Sequence, residues 1–186
     1  MFIIVNALVF QIAWFVSVVG GAQQMPWLGP LSLLVALAIH LKAARHPIEE
    51  LALVLLCGLI GAAFDSILVV NNWVSYSSGV FNEAMAPYWI ITMWMLFATT
   101  LNVSMRWFRR KPAIAAVFGF FGGPLSYIAG EKLSGITLLE PVAALLALGI
   151  GWAIMMPLLM RLSEYFDGMP AKPTLRPQWQ TEVQEC

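Results

Sequence analysis

Ala113-Ile-Ala-Ala-Val-Phe-Gly-Phe-Phe-Gly-Gly-Pro-Leu-Ser-Tyr-Ile-Ala-Gly-Glu-Lys132 keeps its only charges to its last two positions. About twenty apolar residues are enough to cross a bilayer as a helix. Ala115, Gly119 and Gly123 recur every fourth position, so they share one helix face and admit a neighbouring backbone. Pro124 removes a backbone donor about a turn and a half before the helix should leave the membrane, which predicts a weakened end. Ser126, Tyr127, Glu131 and Lys132 follow immediately. A plain anchor has no need of four such side chains at its end, so this stretch marks a candidate site.

The rest of the chain reads the same way. Of its 186 residues, 60% are hydrophobic and 11% are charged, with a mean hydropathy of +0.80; soluble domains carry roughly a quarter charged residues. Six apolar segments can be drawn, at 2–20, 28–44, 48–70, 86–108, 112–130 and 138–160. Pro26, Pro47, Pro87, Pro112 and Pro141 stand at or near their starts, where a missing N–H costs nothing. The predicted fold is an all-α integral membrane protein, a bundle of six transmembrane helices over residues 1–166. A flexible cytoplasmic tail is expected at 167–186. No basic residue precedes the first run, so it reads as a retained anchor and not a cleaved signal.

Charge sets the orientation. Lys42, Arg45, Arg106, Arg109, Arg110, Lys111, Arg161, Lys172 and Arg176 fall on one side of the predicted membrane, and only Lys132 falls on the other. Nine against one places both termini in the cytoplasm. Trp27, Trp73, Tyr76, Tyr88, Trp89 and Trp107 are expected as interfacial anchors. The fifth and sixth segments should pair tightly, with Ala115, Gly119 and Gly123 meeting Ala143, Ala147 and Gly151. Gly58, Gly61 and Ala62 could pack on either. The Gly-Pro-Leu-Ser at 29–32 and 123–126 reads as coincidence, because the two halves do not otherwise align.

A charge in the hydrocarbon costs at least about 2.5–3.5 kcal/mol, so each needs a partner. Asp65 is the clearest case: its own segment has no cation. Its expected neighbours are Tyr127, Ser126 and Thr92 by depth, with Lys132 reaching down on its long stem. Glu131 would complete a far-side pocket. Trp94 lies deep enough to join it. Gln11 and Trp14, three apart on one face of the first segment, should point inward, where they glue helices or join the candidate pocket. His40, Lys42, Arg45 and His46 are read as meeting lipid phosphates, and Asn102, Thr99, Thr100 and Ser104 as lining the cytoplasmic half. No metal or cofactor is expected: Cys57 and Cys186 make no site, and no enzyme motif is present. A net charge of zero carries no nucleic-acid footprint.

Asn6…Phe10-Gln11…Trp14, Asp65, Ala86-Pro87-Tyr88-Trp89…Trp94…Phe97-Ala98 and Gly123-Pro124-Leu125-Ser126-Tyr127…Gly130 together resemble a family of small bacterial inner-membrane proteins, domain of unknown function 2878. The resemblance implies a multi-pass protein of the inner membrane, with the far side being the periplasm. Members are often encoded beside cyclopropane-fatty-acid-synthase-like and flavin-dependent oxidase-like proteins, which implies membrane lipids and lipid-modifying enzymes as partners. Two functions stay open: lipid handling, as an enzyme or accessory subunit in fatty-acyl or phospholipid modification, with a periplasmic-side pocket around Asp65 and Tyr127; or small-solute or proton-coupled transport, with Asp65 as the titrating group.

Overall fold

The computed structural model describes residues 2–170. Six helices and two short strands follow one another: α1 (Phe2–Ala22), α2 (Leu28–Ala43), α3 (Pro47–Val70), β1 (Val74–Tyr76), α4 (Tyr88–Leu101), α5 (Pro112–Lys132), β2 (Ile136–Leu138) and α6 (Pro141–Tyr165), with a 3-10 turn at Arg106–Phe108 between α4 and α5. Four of the helices, α1, α3, α5 and α6, are long and apolar enough to cross a membrane. Their outward faces carry Leu8, Ile12, Leu55, Leu59, Val117, Ile150 and Ile154, all more than a third exposed. So much apolar surface does not face water in a soluble monomer. The protein is membrane-embedded.

Pro47, Pro112 and Pro141 take the opening turns of α3, α5 and α6. Pro124 does not end the helix: α5 runs through it to Lys132. Proline costs the helix one N–H, and Ser126 Oγ–H donates to the Gly123 carbonyl nearby at 2.7 Å.

The bundle has two ends. At one, β1 and β2 form an antiparallel pair in the register Val74–Leu138, Ser75–Thr137 and Tyr76–Ile136. Sequence reading placed only breaks there; helices that stop leave backbone groups that must find partners, and this pairing supplies them. The other end holds most of the arginines and lysines and will be called the basic end.

The fourth apolar segment is shorter than its pattern predicts. α4 stops at Leu101 instead of continuing to 108, and the chain turns at Asn102. Thr99 and Thr100 turn their hydroxyls onto the carbonyls of Leu96 and Phe97, and the backbone N–H of Met105 closes the turn on Thr100 O at 2.9 Å. Though short, α4 lies at the centre, packed against α1, α2, α3 and α6. Every residue from Leu96 to Leu101 is buried.

α5 and α6 form the closest helix pair. A side chain on Gly119 would strike the Trp152 backbone, and one on Gly123 the Trp152 indole. Gly151, expected from its spacing to join this contact, does not; it faces Phe64 on α3, while Gly149 faces Phe120 on α5. Gly58 and Gly61 receive Met95 and Trp94 of α4, and not α5 or α6. The expected tail begins inside the fold, since Gly168 and Met169 are buried; its remainder, from Ala171, lies outside the described residues.

Candidate functional site

Asp65 is fully buried. Gly61, one turn before it, has no side chain, and the Trp94 indole fills the place a Cβ would take. That approach brings Trp94 Nε1–H to Asp65 Oδ2 at 2.6 Å. The other oxygen, Oδ1, accepts from the Tyr76 hydroxyl at 2.6 Å and from the Tyr127 hydroxyl. Three neutral donors from three elements thus converge on one carboxylate, and hydrogen bonds to a carboxylate are the stronger kind. Tyr76 lies on β1, outside the helices. Burial, and then the Asp65 carboxylate beside it, push its phenol well above the ordinary value of 10.0, so it keeps its proton and donates.

The ion pairs among the described residues are His40–Glu50, Arg106–Asp167 and Arg109–Asp167. Lys132 is in none of them and stands exposed, so the expected pairing with Asp65 is replaced by hydrogen bonds. Glu131 turns away as well, accepting the Leu138 N–H at 2.9 Å and tying α5 to β2. Thr92 donates to its own helix at Trp89 O and faces Gly29. Of the sequence-predicted set, Asp65, Tyr127 and Trp94 come together; Ser126, Gln11 and Trp14 line the space beside them. Tyr76 and Trp89 were read as interfacial anchors. Tyr76 serves Asp65, and Trp89 is fully buried with its indole N–H on Ser78 O at 2.9 Å.

That space is a cavity of about 420 Å³, within the 300–1,000 Å³ of ordinary ligand sites. Its floor is Trp94 and Phe97 of α4 with Trp152 of α6; its sides are α1, from Phe10 to Val18, and α5, from Phe118 to Ala129. Trp94 and Trp152 stack at 4.6 Å and 14°, with Phe97 edge-on to both. α1 packs on α2 and α4 while α5 packs on α6, leaving a gap between α1 and α5. Gln11 and Phe15 on one lip and Phe118 and Leu125 on the other are exposed. Gln11 is therefore at a mouth, not within a helix contact. The inward-facing amide of α1 is Asn6, which donates to Thr99 O at 3.0 Å.

A second polar cluster sits at the basic end. Glu50 is fully buried. Its Oε2 meets His40 Nε2 at 2.8 Å, and its Oε1 accepts from Asn102 Nδ2 at 2.6 Å and from the Gly168 N–H at 2.8 Å. Arg109 donates to Asn102, to Ser163 O at 2.9 Å and to Asp167 at 2.7 Å; Arg106 also holds Asp167. The Gly168 carbonyl accepts from the N–H groups of Arg45 and His46 at 2.8 and 3.0 Å. Partial burial works to raise the Asp167 carboxyl, but the hydrogen bond and charge of Arg109 and the charge of Arg106 outweigh it and hold it low. His40 and Asn102 are thus structural partners here, not phosphate or channel-lining groups. Sequence reading passed over Glu50 and Asp167, although a Glu in the first turn of an apolar helix was a visible signal.

The chain belongs to the family described as Protein of unknown function (DUF2878), whose model matches residues 3–158. The match takes in both buried carboxylates and the cavity, and stops short of Asp167 and Gly168. No curated protein and no solved structure matches the chain.

Proposed function

We propose that this is a multi-pass protein of the bacterial inner membrane that receives one lipid chain sideways from the bilayer. In this reading all six helices span, with both termini cytoplasmic and the β1–β2 end periplasmic. Seven of the eight basic residues among those described stand at one end, with Lys132 at the other, which supports that orientation. α2 and α4, with 16 and 14 residues, are about 24 and 21 Å long and shorter than a ~30 Å core; the central place of α4 among four helices supports counting it as a span.

The observation that carries the function is the cavity. It is lined almost wholly by apolar and aromatic side chains and faces the bilayer between α1 and α5. Its wall on α5, Phe118 to Ala129, is about 16 Å long, so an acyl chain could lie in it parallel to its former neighbours. Each buried CH₂ contributes about 0.8 kcal/mol against water but little against lipid. Selectivity then falls to the polar groups, Tyr127 held by Asp65 and the nearby Ser126. Modifying such a chain, or presenting it to a lipid-modifying partner enzyme, would both begin with this step. A solute transporter would need polar walls, which this lining does not offer.

The test is lipid co-purified in mild detergent and identified by mass spectrometry. Gly122 lines the cavity, and a Cβ there would meet only the Phe118 ring, no nearer than 3.7 Å. Gly122→Leu should therefore fill the space without a clash and displace the lipid, with melting unchanged or slightly raised. Lipid in bulk membrane proportions, or the same lipid retained in Gly122→Leu, would refute the reading.

A further inference from the structure

We infer that the lipid this cavity takes enters from the leaflet at the β1–β2 end and carries an anionic head, phosphate or carboxylate, held there by Lys132. The inference rests on the lipid-chain reading above and names the head and the leaflet. The cavity is not centred in the bundle. On α5 it runs from Phe118 to Ala129, so it stops about 4.5 Å short of Lys132 but about 9 Å short of Pro112 at the other end. On α1 it runs from Phe10 to Val18, closer to Ala22 than to Phe2. Met105 and Phe118 line its lower part, and Phe108 lies buried against Phe118 at 4.9 Å. The turn that follows α4 thus sets apolar side chains between the cavity and the basic end. A lipid of that leaflet would have to bury its head among them, at the cost of an unpaired polar group.

The other end offers a charge. Of the two helices that form the mouth, α1 has no charged residue and α5 has Glu131 and Lys132. Glu131 is engaged by the Leu138 N–H. Lys132 is exposed and enters none of the ion pairs among the described residues. Phe118, Leu125 and Lys132 follow one another at seven-residue steps, about two helical turns each, so they lie on one stripe of α5. All three are exposed. Phe118 and Leu125 are the lip of the mouth, and Lys132 stands on the same stripe about 10 Å above Leu125. The helix dipole favours a cation at this C-terminal position. Its flexible stem lets the ammonium meet a phosphate or carboxylate at the interface. With the head there, the chain descends past Ser126 and ends among Phe118, Phe97 and Met105. Glu83 and Glu140, the other carboxylates of this end, belong to the loop before α4 and the start of α6, and to neither lip.

The experiment measures binding to the full-length protein in phosphatidylcholine nanodiscs, read by quenching of tryptophan fluorescence with brominated chains. The chain is offered as phosphatidylglycerol, as the free fatty acid and as diacylglycerol. The first two distinguish a membrane phospholipid from a free acid as the source of the anion; the third carries no charge. An anionic form should bind about fivefold tighter than diacylglycerol, the ordinary worth of one basic residue against an anionic lipid. Lys132→Met should bring that ratio to about one and Lys132→Arg should keep it, with diacylglycerol binding the same in both. Lys111→Met, at the basic end, should change nothing. Equal binding of all three forms to the wild-type protein would overturn the inference while leaving the lipid-chain reading intact. A preference that survives Lys132→Met, or is lost in Lys111→Met instead, would place the head elsewhere and overturn it too. Binding of none would overturn both.

Discussion

Asp65 and Glu50 are both fully buried carboxylates on α3, yet they do different work. Around Asp65 stand two phenols and an indole, and one phenol and the indole also line the cavity. Around Glu50 stand an imidazole, an amide and a backbone N–H, and the network continues through Arg109 to Asp167. The Glu50 cluster draws on α2, α3, the connector between α4 and α5, the end of α6 and the segment after it, and so clasps the basic end. The Asp65 cluster draws on fewer elements and borders open space. A buried carboxylate alone therefore says little about function; what its partners face decides.

Removing the clasp should have the largest effect. Glu50→Ala leaves His40, Asn102 and the Gly168 N–H without their acceptor, and cases of this kind cost about 3–5 kcal/mol. The variant should melt far below wild type in detergent and expose the chain after α6 to protease. A wild-type melting curve would show that the network is ornamental and erase the contrast between the two carboxylates.

Asp65→Asn should cost less, about 1–3 kcal/mol. Asparagine keeps one acceptor oxygen but sets an NH₂ group against either the Trp94 N–H or the two phenols. No cation loses its partner, which is why the cost stays below that of Glu50→Ala. The same logic predicts that Lys132→Met leaves melting unchanged. A loss of stability in Lys132→Met matching that in Asp65→Asn would restore the ion pair expected from sequence.

Asp167 gives the smallest effect and a pH signature. Its carboxyl titrates below the ordinary value of 3.8 in the folded protein, because Arg109 and Arg106 outweigh its partial burial. The unfolded chain then takes up the proton first. The stabilisation is complete above 3.8 and is lost as pH falls through the lower, folded value. The residue is partly exposed, so its worth is below about 1 kcal/mol. Asp167→Asn should lower melting slightly at pH 7, and the difference should vanish on acidification. A gap that does not shrink as the pH falls below 3.8 would assign the effect to packing of the Gly168 segment.

The membrane character, the six helices and the one-sided charge follow from the sequence by itself, because hydropathy and helix length are local, additive properties. So does the isolation of Asp65, with no cation in its own segment, and the candidacy of Tyr127. Only the tertiary structure decided which neighbours each residue met. Gly61 faces Trp94, Gly151 faces Phe64, and Tyr76 reaches back over eleven positions to Asp65. The direction of a helix face is set by rotation about its axis, and small residues permit close approach without naming the partner. Glu50 and Gly168 meet across 118 positions, and no period or spacing encodes a contact of that length. The cavity is further still from the sequence. It is a gap left where α1 and α5 fail to pack, and empty space belongs to no residue.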